Sequence, residues 1–342
     1  MSRAYLRWKY LENPFFREPT FIVVRHGDQI VGMRGLYGTC WTGGSAGDST
    51  ILPHADDFIV HPDHRKQGLG KMIQDTMVAV AKKQGFPSVI SLSGNDRTQE
   101  ISLAGGWKAL GELEQIYRYP GTREKGPRSQ LNLLKRGKQV LRMTAKRFGY
   151  GPNKVASNRS VNQALKHIAT EDSPRVQISS DADYAGMSSL AESVTSDQLR
   201  APRSEAFLRW RLDNPHRKYR FIYWRDSSLR GYMILAWTTR NPYRVIIADH
   251  AVENTVVFTE LMGSVVRSQR GWLSMMSSTL PDSLLRVART AGFNSDPSFE
   301  KGPRKRFLFY PLADQVQSSV FGESQSTYPS RWHVNLLDTM NS

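Results

Sequence analysis

Ala-Asp-Asp-Phe-Ile-Val at residues 55–60 and Arg-Lys-Gln-Gly-Leu-Gly at residues 65–70 decide the fold of this chain. The first hexapeptide ends in residues of high strand propensity and predicts a strand, which Pro62 terminates. The second precedes a stretch from Lys71 to about Gln84 in which apolar residues recur at helical spacing. A strand, a glycine-containing loop and a helix in this order present backbone N–H groups and a positive helix end to phosphate.

Four residues of the loop suit it to a diphosphate. Gly68 and Gly70 let the backbone approach the ligand without a Cβ in the way. Arg65 and Lys66 add positive charge close to the same place. The loop lacks the Gly-Lys-Ser/Thr ending of a P-loop and the third glycine of a Rossmann loop, which excludes both of those nucleotide-binding motifs.

The loop and its surroundings resemble one family. R-x-x-G-x-G at 65–70 after V-x-P at 60–62 resembles the coenzyme A loop of the GNAT superfamily of N-acetyltransferases. A strand at 87–92 follows the helix, and a short helix then ends in Gly106-Trp107, similar to the Gly-aromatic stop of that family. The sixth strand of the family would lie at 113–119. The resemblance covers residues 5–120 and implies an α/β (α+β) fold, a mixed, largely antiparallel twisted sheet flanked by helices.

The resemblance implies transfer of an acetyl group from acetyl-CoA, as co-substrate, to a primary amine. The amine would attack the thioester directly, so no covalent enzyme intermediate and no metal are expected. Backbone amides of the fourth strand would polarise the thioester carbonyl, loop amides would hold the pyrophosphate, and an asparagine would bond the pantetheine arm. By position these cofactor-binding residues are Phe58, Ile59, Val60, Arg65, Lys66, Gln67, Gly68, Leu69, Gly70, Lys71 and Asn95.

Two catalytic candidates follow from the same resemblance. Ser102 stands where many members have the tyrosine that protonates the departing thiolate, and its hydroxyl is shorter and less acidic than a phenol. Asp57 is the candidate general base. In the family, acetyl-CoA lies in a slot between the splayed fourth and fifth strands, and strand alternation lets only one of Asp56 and Asp57 point into this acetyl-CoA slot. His54, His61 and His64 flank this strand and are interpreted as surface residues rather than metal ligands.

The chain contains a second, degenerate copy of the same pattern. Tyr5–Pro14 is echoed by Phe207–Pro215, and in both copies two strands follow the Asn-Pro, which indicates a duplicated domain. The predicted fourth strand of the second copy, 245–252, leads into Glu253-Asn254-Thr255, without paired glycines or a basic residue. We therefore expect no pyrophosphate site there.

Three segments follow from this comparison: a GNAT-like domain at 1–120, a basic, partly helical linker at 121–172 and the degenerate domain at 173–342. Residues 121–160 hold eleven Lys or Arg and one acid, Glu124. A basic amphipathic helix is expected near 129–148. It is interpreted as a solvated linker, with peripheral contact to an anionic membrane as the alternative.

Composition bounds the remaining possibilities. The chain has 342 residues, 47 Lys and Arg against 31 Asp and Glu, and one cysteine, Cys40. It has no apolar run long enough to span a membrane and no signal peptide pattern, so a cytoplasmic protein is expected, peripheral at the inner membrane face if the linker binds lipid. Its charge favours polyanionic ligands, although nucleic acid is not the expected partner.

The acceptor stays open at this point. Tandem GNAT-like chains resemble acyltransferases of bacterial surface-polysaccharide assembly, which implies an amino sugar, free or lipid-linked, as one acceptor. Aromatic residues that could stack on a sugar, although core positions are the commoner use, are Trp8, Tyr10, Trp41, Trp210 and Trp237. The alternatives are a Fem-type aminoacyl transferase that uses aminoacyl-tRNA, and a non-catalytic acyl-CoA-binding protein.

Overall fold

The computed structural model describes residues 2–16, 18–43, 49–92, 96–119, 174–194, 199–269, 271–278, 280–295, 306–312 and 332–339. The predicted basic segment at 121–160 and its helix near 129–148 lie outside these residues, as does Asn95. Within the described residues, no helix is long and apolar enough to cross a membrane.

The first half of the chain places one long helix against an antiparallel core. Its elements are α1 (Arg3–Leu6) with a π-helical turn (Arg7–Leu11), β1 (Thr20–His26), β2 (Gln29–Thr42), β3 (Ser49–Val60), a 3₁₀ turn (Pro62–His64), α2 (Leu69–Lys83), β4 (Ser88–Ser91), α3 (Asp96–Ala104), β5 (Lys108–Glu112) and β6 (Gln115–Arg118). Ile73, Met77 and Ala81 of α2 are fully buried, one turn apart, and join a cluster that includes Leu36 and Ala55 of the sheet. The predicted strand, loop and helix thus form in that order.

The second half repeats this arrangement. Its elements are β7 (Val176–Ser179), α4 (Tyr184–Ser193), β8 (Leu199–Arg200), α5 (Glu205–Leu212), β9 (Arg217–Arg225), β10 (Leu229–Thr238), β11 (Asn241–Val252), α6 (Thr255–Ser268), β12 (Trp272–Met276), α7 (Asp282–Thr290), β13 (Asn294–Ser295), β14 (Arg306–Pro311), β15 (Trp332–His333) and α8 (Leu336–Thr339). In both halves an antiparallel hairpin follows the helix, β1–β2 in one and β9–β10 in the other. The parallel pairs β3–β4 and β11–β12 correspond in the same way.

The two sheets exchange strands. The first sheet has the order β15-β8-β2-β3-β4-β14-β5, with β1 also paired to β2, and the second has the order β13-β6-β12-β11-β10-β9-β7. β6 therefore lies in the second sheet, antiparallel to β12, whereas β14 lies in the first, between β4 and β5. The sequence placed the strand at 113–119 in the first copy, and this placement was wrong, because β6 pairs within the second sheet. The predicted segment boundaries stay a prediction. Each sheet contains strands from both the first and the second half of the chain.

A reciprocal tryptophan pair joins the repeated helices. Trp8 Nε1 donates to the carbonyl oxygen of Trp210 (2.5 Å), and Trp210 Nε1 donates to that of Trp8 (2.8 Å). The two rings stack with centroids 5.6 Å apart. Corresponding residues of the two copies thus make the same contact in both directions, as expected of a duplicated domain with a pseudo-twofold axis.

We expect this pair to contribute to stability through its hydrogen bonds. Trp8→Phe and Trp210→Phe should each lower the free energy of unfolding by about 1–3 kcal/mol, because each removes a buried hydrogen bond between the two copies. Trp107→Phe is the control, since the buried Trp107 Nε1 has no hydrogen-bond partner among the described residues. Urea unfolding measures all three variants. A Trp107→Phe loss as large as the other two would show that ring size, rather than the hydrogen bond, sets the cost.

Candidate active site

The glycine-containing loop turns its backbone outward. Residues 65–68 are exposed, and Lys66 and Gly68 have left-handed backbone conformations, with φ of 62° and 78°. No N–H of residues 66–71 donates to a described residue, and no side chain caps α2 at Gly68. A left-handed lysine is a strained conformation of the kind found at binding loops. The result is a row of free donors at the positive end of a 15-residue helix.

The Arg65 side chain and a close approach at Gly70 hold this loop against β3. Arg65 Nε donates to the carbonyl oxygen of Val60 (3.1 Å), so the loop's first residue is tied to the end of the strand. A Cβ added at Gly70 would lie 3.4 Å from Phe58 Cζ and 3.7 Å from Ile101 Cδ1. The first turn of α2 therefore packs directly beside β3 and α3, and a larger residue at Gly70 would press on both.

At the start of α6, the equivalent helix of the second half, an asparagine side chain caps the backbone N–H groups. Asn254 Oδ1 accepts hydrogen bonds from the N–H groups of Val256 (3.0 Å) and Val257 (3.1 Å) at the start of α6. These are the donors that a phosphate would need. The two helix ends differ in this respect: Gly68 leaves the donors of α2 free, whereas Asn254 occupies those of α6.

β3 carries a bulge at Asp57 and Phe58, next to the candidate catalytic residue. Gly35 pairs with Asp56 and Met33 pairs with Ile59, so one residue of β2, Arg34, faces two residues of β3. Asp57 has a φ of 52°, a left-handed conformation that aspartate tolerates better than most residues. The bulge breaks the alternation of faces, and the carboxylates of Asp56 and Asp57 both reach the same ammonium group. The expectation that the two side chains lie on opposite faces of the strand was wrong, and which of them points into the acetyl-CoA slot stays a prediction.

A buried lysine holds both carboxylates. Lys9 Nζ lies 2.6 Å from Asp56 Oδ2 and 2.7 Å from Asp57 Oδ2, and the lysine side chain is fully buried. Tyr10 OH donates to Asp57 Oδ2 (2.7 Å), and Lys9 donates to Tyr5 OH (3.0 Å). Burial opposes the charge of Lys9, but the two aspartates outweigh it and raise the lysine pKa. Burial likewise opposes ionisation of Asp56, and Lys9 outweighs it, which lowers the pKa of Asp56 to about 2.

β3 and β4 separate next to this bulge. They pair only at His54 and Ile90, and beyond that point Ser91 Oγ donates to the carbonyl oxygen of Ala55 (3.1 Å). The N–H of His61 donates to Val31 of β2, so by alternation the N–H of Val60 faces the opposite, open edge. Ile59 is 45% exposed at the same end of the strand. An open strand edge therefore runs from the bulge towards the free amides of the loop.

Residues 2–103 match the model of the acetyltransferase (GNAT) family. The chain carries a GNAT domain. A search of the curated proteins found no similar sequence.

Solved structures extend the likeness of fold to both halves. A GCN5-related N-acetyltransferase from Anabaena variabilis is 14% identical with a TM-score of 0.52, over 92% of this chain and 66% of that one. A tandem GNAT protein from the clavulanic acid biosynthesis pathway is 13% identical with a TM-score of 0.50, over 87% and 84%. Saccharomyces cerevisiae N-myristoyltransferase with bound myristoyl-CoA is 8% identical with a TM-score of 0.56, over 91% and 70%. The chain spans just under two thirds of the Anabaena protein, and the two sheets fit a pair of tandem GNAT domains. The predicted GNAT fold is confirmed.

Ser102 of the GNAT domain lies deep inside it. Its side chain is fully buried on α3, and its hydroxyl accepts a hydrogen bond from Gln74 Nε2 (3.2 Å). The Oε1 of Gln74 in turn accepts from Arg34 NH1. The predicted position of the proton donor is thus occupied by a short side chain that is held in a buried chain of hydrogen bonds.

The histidines of the GNAT domain divide into two groups. His61 and His64 lie at the exposed 3₁₀ turn, as expected, but His54 is fully buried and its interpretation as a surface residue was wrong. His54 Nε2 accepts from the N–H of Leu92 (3.0 Å), and its Nδ1 is 2.5 Å from Tyr37 OH. Burial lowers the pKa of His54 to about 3, so the ring is neutral. It bridges β3 and β4 where they begin to separate.

Sequence reasoning missed two buried cations of the GNAT domain, Lys9 and Arg34. Each stands alone in an apolar surrounding: Lys9 between Trp8 and Tyr10 on a helix, and Arg34 in the strand Val31–Tyr37. A charge on the inward face of an otherwise apolar element was the available signal. Among the described residues, no group of three or more His, Cys, Asp or Glu is arranged to hold a metal ion.

Proposed function

We propose that the chain is an acyl-CoA-dependent N-acyltransferase that transfers an acetyl group from acetyl-CoA to a primary amine. The observation that carries the proposal is the row of free N–H groups at residues 66–71, next to an open edge of β3. These donors, with Arg65 and Lys66, suit the pyrophosphate of coenzyme A. The matched residues 2–103 contain both features.

The chain's own residues would bind acetyl-CoA, orient its thioester and accept a proton from the amine. When bound, acetyl-CoA supplies an activated thioester whose carbonyl can be attacked by an amine. The loop amides would hold one end, and the open edge of β3 at Phe58 to Val60 would align the other near the bulge. Amide donors fixed along this edge would stabilise the developing oxyanion.

Asp57 is suited to receive the amine proton. Lys9 and Tyr10 both donate to its Oδ2, which fixes the carboxylate at the bulge. The side chain is 12% exposed, so an acceptor can reach it. The neighbouring Asp56 is bound to the same lysine and serves to hold it in place.

For the acceptor, we propose a chemical class, a primary amine, rather than a particular compound. The five aromatic side chains considered for sugar stacking are all buried: Trp8, Tyr10, Trp41, Trp210 and Trp237. No contact among the described residues singles out an amino sugar. We therefore propose a primary amine and leave its class to an acceptor screen.

One observation favours a second function, a non-catalytic acyl-CoA-binding protein. Ser102 is fully buried, and a serine hydroxyl is a much weaker acid than a phenol, so Ser102 is poorly suited to protonate a departing thiolate. Release of free thiol from acetyl-CoA across a panel of amines separates the two functions. Binding without thiol release for every amine would favour the acyl-CoA-binding protein. A Fem-type transferase would leave the free amides of the loop without a role.

We expect one coenzyme A to bind per chain. The donors of α2 are free, whereas Asn254 caps those of α6, so of these two helix ends α2 alone offers a pyrophosphate site. Isothermal titration calorimetry with coenzyme A measures the stoichiometry. A value of two would contradict the degenerate second site, and no binding would overturn the proposed function.

A further inference from the structure

Arg34 is a buried cation without a counter-charge among the described residues. It is fully buried on β2, and only its NH1 has a partner, Gln74 Oε1. Its Nε and NH2 make no hydrogen bond to a described residue. A buried charge with unused donors is costly to the folded protein unless something else pairs with it. Burial lowers the pKa of Arg34 to about 10, which leaves it charged at neutral pH.

No carboxylate among the described residues pairs directly with Arg34. Asp56 is the charged group of β3 that most affects Arg34, but its Oδ2 is bound to Lys9. From the helices, α2 presents the neutral Gln74 and α3 the neutral Ser102. The guanidinium otherwise faces aromatic rings, with its Cζ 5.0 Å from the centroid of Phe58 and 5.5 Å from that of Trp107.

Phe58 connects this cation to the proposed coenzyme A site. Its ring contacts Arg34 on one side, and its Cζ lies 3.4 Å from where a Cβ at Gly70 would stand. Phe58 is also a residue of the β3 bulge, beside the open edge. The guanidinium is thus one side chain away from both the first turn of α2 and the bulge where the thioester would react.

We propose that Arg34 stabilises the thiolate of coenzyme A as it leaves, an inference that rests on the proposed function. As the amine nitrogen bonds to the acyl carbon, the carbon–sulfur bond breaks and sulfur departs with the bonding electron pair. The surplus proton of the nitrogen passes to Asp57 or to water, and water protonates the thiolate after release. The Nε and NH2 donors of Arg34, which no described residue uses, would pair with the negative charge that forms on sulfur.

Binding measurements test the inference without an acceptor. Calorimetry at about pH 9, above the usual thiol pKa of about 8.5, compares coenzyme A with desulfo-coenzyme A, which lacks the thiol. We expect the wild type to prefer coenzyme A by about tenfold, equivalent to a shift of about one unit in the thiol pKa. Arg34→Met should bind both ligands equally and keep the wild-type affinity for desulfo-coenzyme A, and Arg34→Lys should retain part of the preference. Arg25→Met, at an exposed arginine of β1, is the matched control and should keep the full preference.

The possible results distinguish failure of this inference from failure of the proposed function. If the wild type binds both ligands equally tightly, the inference is wrong while the proposed function stands. If the wild type binds neither, the proposed function fails and this inference with it. Succinyl-CoA and butyryl-CoA form a second comparison: a preference for succinyl-CoA that Arg34→Met abolishes would assign Arg34 to an acyl carboxylate and overturn the thiolate role. Because the wild-type comparison alone decides the main question, a variant that fails to fold does not block the test.

Discussion

Gly68→Asp is expected to abolish measurable binding of coenzyme A. The new carboxylate would stand at the start of α2, among the N–H groups of residues 66–71 that are free in the wild type. It would cap these donors itself and repel the pyrophosphate. Two unit charges about 4 Å apart near a protein surface repel by about 4 kcal/mol. Since about 1.4 kcal/mol is a factor of ten, we expect affinity to fall by about 100-fold or more. Isothermal titration calorimetry measures it.

The fold should survive this substitution. Gly68 has a φ of 78°, which aspartate adopts at modest cost, and a Cβ there meets no atom within 4 Å. An aspartate before a helix also stabilises it by capping. The thermal midpoint should therefore stay within a few degrees of the wild type. Unchanged affinity in a folded Gly68→Asp protein would show that coenzyme A does not use this loop.

Asn254→Asp provides the matched control in the second half. It places the same carboxylate at the corresponding helix end, where Asn254 already accepts from Val256 and Val257. Affinity for coenzyme A should not change, because the side chain of residue 254 already occupies N–H groups at that helix end in the wild type. A loss comparable to that of Gly68→Asp would mean that the second half takes part in binding.

The loop could be predicted from sequence because its determinants are local. Two glycines, two basic residues and the helix that follows occupy consecutive positions, and their backbone conformations depend mainly on one another. The degenerate character of the second helix end was equally local, although its physical basis, capping by Asn254, became visible only in the structure.

The strand exchange could not be predicted in this way. The pattern of Gln115–Arg118 indicates a strand, but nothing in a strand's own residues names the neighbour with which it pairs. β6 and β14 occupy positions that their sequence order assigns to each other's sheets. Sequential adjacency, on which the prediction relied, holds for most strands but not for these two.

The buried polar groups of the site were missed for a related reason. Lysine on a helix is by default a surface residue, and the partners of Lys9 lie 47 and 48 positions further along the chain. The bulge that brings Asp56 and Asp57 together depends on the left-handed backbone of Asp57, which the alternating pattern of β3 does not indicate. Arg34 was likewise hidden in an apolar strand.

Lys9→Met is expected to destabilise the protein by about 3–5 kcal/mol at neutral pH, because removing one partner of a buried ion pair leaves the other uncompensated. Here it leaves two carboxylates, Asp56 and Asp57, side by side and largely buried. The exposed Arg7–Glu12 ion pair of the same helix provides the control, and Arg7→Met should change the free energy of unfolding by less than about 1 kcal/mol. Urea unfolding measures both variants.

The dependence on pH distinguishes lost ion pairing from lost packing. In the wild type, the pKa of Asp56 is lowered to about 2 from a usual 3.8, so its contribution to stability is present above about pH 4 and is lost as the pH falls towards 2. Without Lys9, burial and the neighbouring carboxylate should raise that pKa above its usual value, and protonation then relieves the strain. The deficit of Lys9→Met should therefore be largest at pH 7 and shrink towards pH 4. A deficit that stays constant across this range would assign the role of Lys9 to its contacts with the rings of Tyr5, Tyr10 and Tyr37. It would also remove the reason for regarding Asp57 as a carboxylate held ready at the bulge.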